Sequence, residues 1–245
     1  MTTGRNLHHS SLCIKAPSGA MRTLGPQIHH TKLALPLMDE ATTEVWSDML
    51  TSCGEIATGQ VAGLVEEGVY VPSDLPQMVR SWLTGIGITK NTLRTLTMSP
   101  LACRGASFHS DAHSFSDFAF VVVWLSDDAG LDLLFPQLEQ RIPLEYGTAV
   151  IFDCAQIHGV VPRGTSSFPK DEFDERLSTG CFVSIDLPIH RPSVAQPLGV
   201  RRTNARLARE AGIEHFLGWA DGYTDRVCAT TGAWYGRFHA DTHPT

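Results

Sequence analysis

Between residues 92 and 187 the chain carries a succession of short β-rich segments with no helical stretch to separate them. The segments fall at 92–98, 103–109, 118–125, 131–135, 140–142, 148–153, 158–161 and 178–187. Turn clusters such as Ser126-Asp127-Asp128-Ala129-Gly130 and Glu145-Tyr146-Gly147 divide them. A parallel α/β sheet is built with helices between its strands, so this pattern predicts a sandwich or jelly roll instead. Helical periodicity is confined to the flanks. Val45, Trp46, Met49 and Leu50 share one helix face. Leu75, Met78, Val79, Trp82 and Leu83 share another, with Ser73 or Asp74 as cap and Pro76 in the first turn. A third, imperfect stripe (Leu207, Ala211, Phe216, Leu217 and Ala220) predicts a helix around 204–220. Residues 1–30 are rich in Ser, Thr, Gly and His without periodicity and read as a flexible or irregular arm. Their pairs His8-His9 and His29-His30 have no acidic or cysteine partner at ligand spacing. No repeat or linker divides the remainder, so 31–245 reads as one domain, mainly β with flanking helices and a core at about 92–187.

A chain of 245 residues is long enough for one substantial core. Its 26 Asp and Glu against 19 Lys and Arg give a formal charge of −7, which removes general attraction to phosphate and disfavours nucleic acid as a partner. The six cysteines are scattered without a CxxC pair, and Cys154 and Cys181 stand inside apolar runs. They read as small buried hydrophobes in a reducing compartment. The N-terminus has no apolar signal region, and the longest apolar run, 118–125, is too short to span a bilayer. The expectation is a cytoplasmic enzyme with no membrane partner.

The stretch RGASFHSDAHSFSDF carries the chemistry. In a strand, residues i and i+2 face the same way, so His109 and Asp111 are expected to converge from the end of one strand. His158, opening another short strand, offers a third ligand. Two imidazoles and a carboxylate on one face of an ion leave the other face open, which suits Fe(II). Two other readings stand beside this one. Asp111 with His113 is an alternative pair, and His158 alone reads equally as a core histidine. Further on, Arg176 and Ser178 share one side of the last predicted strand. A guanidinium fork with a hydroxyl is a clamp for a carboxylate.

Taken together, these elements resemble the iron(II)/2-oxoglutarate-dependent dioxygenase superfamily. The matching parts are His109-x-Asp111, the segment Glu145-Tyr146-Gly147-Thr148-Ala149-Val150-Ile151-Phe152 leading to His158-Gly159-Val160-Val161-Pro162, and Arg176-x-Ser178. The resemblance implies a double-stranded β-helix core, a jelly roll of cupin-like form. It implies Fe(II) on His109, Asp111 and His158, with 2-oxoglutarate as cosubstrate held by Arg176 and Ser178, and O2 as oxidant. The interval between His158 and Arg176 is longer than is usual in the family, so residues 163–175 must loop out, or Arg163 is the clamp. Related halogenases replace the carboxylate of the triad with a small residue, and the presence of Asp111 therefore favours hydroxylation or a similar oxidation.

Family members act on amino acids, natural products, protein side chains and alkylated bases. The acidic balance and compact size favour a small molecule, such as an amino acid or another carboxylate-bearing metabolite, over a nucleobase. Arg104, Arg163, Trp234 and Arg237 are candidate substrate-binding residues. Phe108, Phe120, Trp124 and Phe152 are candidate cavity walls. Two further functions are carried forward: oxidation of a protein or peptide side chain, and a non-catalytic cupin-like metal-binding module.

Overall fold

A computed structural model describes residues 12–15, 21–37, 43–44, 56–64, 71–171, 173, 179–210, 215–218 and 227–233. Four strands precede the main helix: β1 (Leu12–Lys15), β2 (Met21–Thr23), β3 (His29–Lys32) and β4 (Val61–Gly63). Helix α1 spans Leu75–Gly85, and the core strands follow as β5 (Ser99–Cys103), β6 (Ala106–His109), β7 (Phe118–Trp124) and β8 (Leu131–Phe135). The chain then returns through β9 (Gln140–Leu144), β10 (Thr148–Asp153), β11 (His158–Pro162) and β12 (Gly180–Pro188). A short helix α2 (Ala112–Phe115) separates β6 from β7. After β12 come α3 (Pro192–Ala195), β13 (Arg202–Thr203), α4 (Ala205–Glu210) and β14 (His215–Gly218).

The pairing of the eight core strands is that of one long antiparallel hairpin. Its turn lies between β8 and β9, which pair with each other, and the rungs behind it are β7 with β10, β6 with β11 and β5 with β12. The hairpin is rolled so that β5, β7, β10 and β12 join one sheet and β6, β8, β9 and β11 the other. This strand order is a jelly roll, the double-stranded β-helix. The larger sheet runs β3-β10-β7-β12-β5-β4, its core extended by one strand on each edge, and the smaller runs β6-β11-β8-β9.

Side-chain parity then sorts the core into two layers. On β7, Ala119, Val121 and Val123 pack with Val183, Ile185 and Leu187 of β12 under α1, which contributes Leu75, Val79 and Leu83. The opposite faces of the same strands, with Trp124, Phe152 and Phe182, turn inward between the sheets. Covered on both faces, β10 is buried along its whole length, with Ala149–Phe152 as an unbroken apolar run.

Several sequence expectations shift. Residues 92–98 are turn and coil, and the strand begins at Ser99. The predicted 103–109 strand is two strands, broken at Arg104-Gly105 where Gly105 adopts φ +61, a conformation open to glycine at little cost. Part of the segment read as an irregular arm forms β1 and β2, and His29-His30 lies in β3 on the edge of the large sheet. β1 and β2 join β13 and β14 in a third sheet, ordered β13-β2-β1-β14. Within the predicted 204–220 helix, Ala205–Glu210 is helical and His215–Gly218 is instead a strand parallel to β1. The helix expected around Val45–Leu50 lies outside the described residues.

The third sheet is tied to the jelly roll by a buried ion pair. Arg22 of β2 donates from both terminal nitrogens to Asp153 at the end of β10, with Nη2 at 2.9 Å from Oδ1. Its Nε and Nη2 also donate to the Ser116 carbonyl, at 3.1 and 2.7 Å. Asp153 is completely buried and also accepts from the Gly25 and Ala155 amides. Removing one partner of such a pair strands the other charge in the interior, at about 3–5 kcal/mol. Arg22→Met should therefore lower the unfolding free energy in urea by about that amount. Arg22→Lys should recover little of it, because a point-charge ammonium cannot serve Asp153 and Ser116 in the fork's geometry.

Candidate metal centre

Rung pairing brings the candidate ligands together. In the register of β11 against β6, His158 stands directly opposite His109, and their rings are 4.4 Å apart. Gly159 keeps these strands close, since a Cβ there would meet the Phe108 ring at 2.9 Å and the Ala106 carbonyl at 3.0 Å. Asp111 arrives differently from the sequence expectation. β6 ends at His109, and Asp111 is the N-cap of α2 with φ −90 and ψ 11, so a turn, not the strand pleat, brings its carboxylate round. Two contacts with the loop before His158 fix that turn: the Asp111 amide donates to the Cys154 carbonyl at 3.1 Å, and buried Ser110 donates to the Ala155 carbonyl at 3.0 Å. The Asp111 oxygens lie 3.7 Å from His109 Nε2 and 3.5 Å from His158 Nε2. One donor atom from each of the three residues falls within 4.8 Å of the others.

Hydrogen bonding selects which ring nitrogens face this point. His109 Nδ1 lies 2.7 Å from the Ser107 carbonyl and His158 Nδ1 lies 2.9 Å from the Gln156 carbonyl. A carbonyl only accepts, so in each ring Nδ1 carries the hydrogen and Nε2 presents its lone pair, the orientation that metal-bound histidines commonly owe to such a partner. Phe152 and Phe135 enclose His158, with ring centroids 4.9 and 6.0 Å away. Burial, aided by the positive charge of His109 and opposed by the Gln156 bond, pushes the His158 imidazole down to about 3. It is a neutral donor at any ordinary pH. Burial raises the Asp111 carboxyl, and His109 acts the other way.

The triad sits on a cavity of about 430 Å³ between the two sheets. Its walls are mainly apolar, including Phe120, Trp124, Phe152 and Phe182, and among the described residues no Lys or Arg lines it. Phe120, Trp124 and Phe152 thus line the cavity as expected, whereas Phe108 packs in the core behind it. Cys103 also lines it, but burial pushes its thiol up to about 12, so it is an inert wall and not a nucleophile. Among the described residues the buried indole N–H of Trp124 has no hydrogen-bond partner, and its ring stacks on Phe182 at 5.7 Å. The close approach of β12 to this ring requires Gly180, where a Cβ would come within 2.0 Å of the indole.

No protein-family model and no curated protein sequence matches the chain. Solved structures do. The 2OG complex of the viral collagen prolyl hydroxylase from Paramecium Bursaria Chlorella virus-1 is similar at 12% identity over 66% of this chain and 94% of that one, with a TM-score of 0.42. A 2OG-Fe(II) oxygenase family oxidoreductase from Burkholderia pseudomallei is similar at 15% identity, over 66% of this chain and 84% of that one (TM-score 0.34). HygX from Streptomyces hygroscopicus, with nickel and 2-oxoglutarate bound, is similar at 9% identity, over 68% and 83% of the two chains (TM-score 0.38). In this chain the strand order alone establishes the jelly roll, and His109, Asp111 and His158 stand in it as an HxD…H set.

The remaining sequence candidates divide. Arg176, Ser178, Trp234 and Arg237 lie outside the described residues. Arg104 and Arg163 are not among the residues lining the cavity. Arg104 sits in the turn between β5 and β6. Arg163 follows the last residue of β11, five residues and roughly 17 Å of strand from His158. It pairs there with Asp128 and Asp132 at 2.8 and 3.2 Å. His113, the alternative ligand, is an exposed residue of α2 and is not part of the three-residue cluster. Sequence reasoning missed Ser110, Trp124 as a donor, and Asp186, which lines the cavity. The last had a visible signal, a lone acid in the apolar run Val183-Ser184-Ile185-Asp186-Leu187.

His158 makes stability depend on pH. Its folded value lies below the unfolded value of about 6.5, so the unfolded chain takes up the proton first. The metal-free fold loses stability as pH falls from about 6.5 toward about 3, at a limiting slope of about 1.4 kcal/mol per pH unit, and gains nothing from this group above that window. With a chelator present, the urea midpoint should fall between about pH 7 and about pH 5, and fall less steeply in His158→Gln.

Proposed function

We propose that this chain is an Fe(II)- and 2-oxoglutarate-dependent dioxygenase. In this reading it oxidises, by hydroxylation, an unactivated C–H of a small molecule such as an amino acid or a carboxylate-bearing metabolite, and releases succinate and CO2. The observation that carries the reading is the convergence of two imidazoles, each presenting Nε2, and one carboxylate on a largely apolar cavity. Such a set holds a divalent iron from one side and leaves its other positions to ligands from the cavity.

The residues present fit the metal. The donor set is of mixed N/O type, suited to Fe(II) and lacking the thiolates that favour softer ions. When bound, iron and 2-oxoglutarate supply the oxidising chemistry with O2. The chain's own part is to orient and enclose. His109 and His158, locked by the Ser107 and Gln156 carbonyls, fix the metal position, and Asp111 supplies the anionic ligand. The apolar walls keep water from the reacting centre. Arg176 and Ser178 remain the proposed clamp for the far carboxylate, and Arg163, engaged with Asp128 and Asp132, is the less suited alternative.

A volume of about 430 Å³ lies in the range of small-molecule sites, which supports a small substrate over a protein side chain. No helix among the described residues is long and apolar enough to cross a membrane. The described cysteines form no disulfide with one another, in keeping with the cytoplasmic location we propose.

Adding Fe(II) and 2-oxoglutarate without oxygen should produce a visible charge-transfer band. Asp111→Ala should abolish it, and a wild-type protein that gives neither the band nor succinate is not this enzyme but a metal-binding module.

A further inference from the structure

Strand β12 presents two different faces. Cys181, Val183, Ile185 and Leu187 pack into the layer under α1, whereas Phe182, Ser184 and Asp186 line the cavity. A carboxylate thus stands on the same wall as the apolar residues of the chamber. The register sets Asp186 opposite Phe120 of β7, at the end of the cavity where Phe120 meets Phe115 edge-on at 5.1 Å and Phe152 packs on His158. Asp186 is exposed, and among the described residues its carboxylate has no hydrogen-bond or ion-pair partner. Burial of part of the group, and then the charge of Asp111, raise its carboxyl, so the two acids face the same space.

The charge balance of this rim is one-sided. Asp111 places one carboxylate on this cavity and Asp186 a second, and among the described lining residues no Lys or Arg accompanies them. A substrate carboxylate brought here meets repulsion. A protonated nitrogen meets an ion-pair partner in Asp186 and the faces of Phe115 and Phe120, which attract cations through the ring quadrupole. We propose that Asp186 is a specificity-determining residue that binds a cationic nitrogen of the substrate, so that the substrate class is a small-molecule amine or guanidine. The inference rests on the oxygenase reading and narrows it: if the substrate is an amino acid, it is the amino or side-chain nitrogen, not the carboxylate, that is held at the rim.

The test uses the full-length protein loaded anaerobically with Fe(II) and 2-oxoglutarate, whose visible band reports loading before any substrate is added. Four cationic probes (putrescine, agmatine, L-lysine and L-arginine) are titrated beside N,N′-diacetylputrescine, diacetyl-lysine and glutarate. At least one cationic probe is expected to perturb the band at a concentration tenfold or more below any neutral or acidic one, and to stimulate succinate release in air. Asp186→Asn should erase that tenfold preference, and Asp186→Glu should restore most of it. The inference is overturned if no cationic probe perturbs the band, if neutral or acidic probes do so equally well, or if the Asn variant keeps the preference. Absence of the band in the wild type before any probe is added defeats the oxygenase reading itself, and the inference with it.

Discussion

The guanidinium of Arg22 holds together the two loops on which the candidate metal centre depends. One side of its fork grips Asp153, which ends β10 and begins the short connection to His158. The other side grips the carbonyl of Ser116, which closes the turn begun by Asp111. A single buried cation therefore spans the segments that present two of the three ligands, and it comes from β2, outside the jelly roll. The jelly roll's own hydrogen bonds fix only the His109–His158 rung. The third ligand lies beyond the end of its strand, where ladder pairing no longer constrains it. Arg22, with Ser110 and the Asp111 amide bonded to the same connection, replaces the missing ladder.

That division explains how a scaffold of ordinary packing carries an exact donor geometry. The rolled hairpin sets β6 against β11 through strand order, and parity then sends β7, β10 and β12 side chains alternately to the helix-covered layer and to the cavity. The cavity is the space between two faces that would otherwise interdigitate. It persists because His109, Asp111, Ser184 and Asp186 stand where a closed core would place apolar groups.

The parts legible in the sequence were those set by local period. The α1 stripe and most core strands follow from spacing alone, because an amphipathic face or an apolar alternation is written within a dozen residues. His109 and His158 were legible from the motif, though their cross-strand opposition was not. What escaped depends on distant partners. β1 and β2 are short and polar in context, and they form strands because β14 and β13 reach them from the other end of the chain. The same non-local pairing turns His215–Gly218 from an expected helix into a strand. The role of Arg22 was hidden for a related reason, since nothing near residue 22 marks residues 116 and 153 as its partners. Arg104 and Arg163 were proposed on charge and proximity in sequence, and the strand geometry carries both away from the chamber.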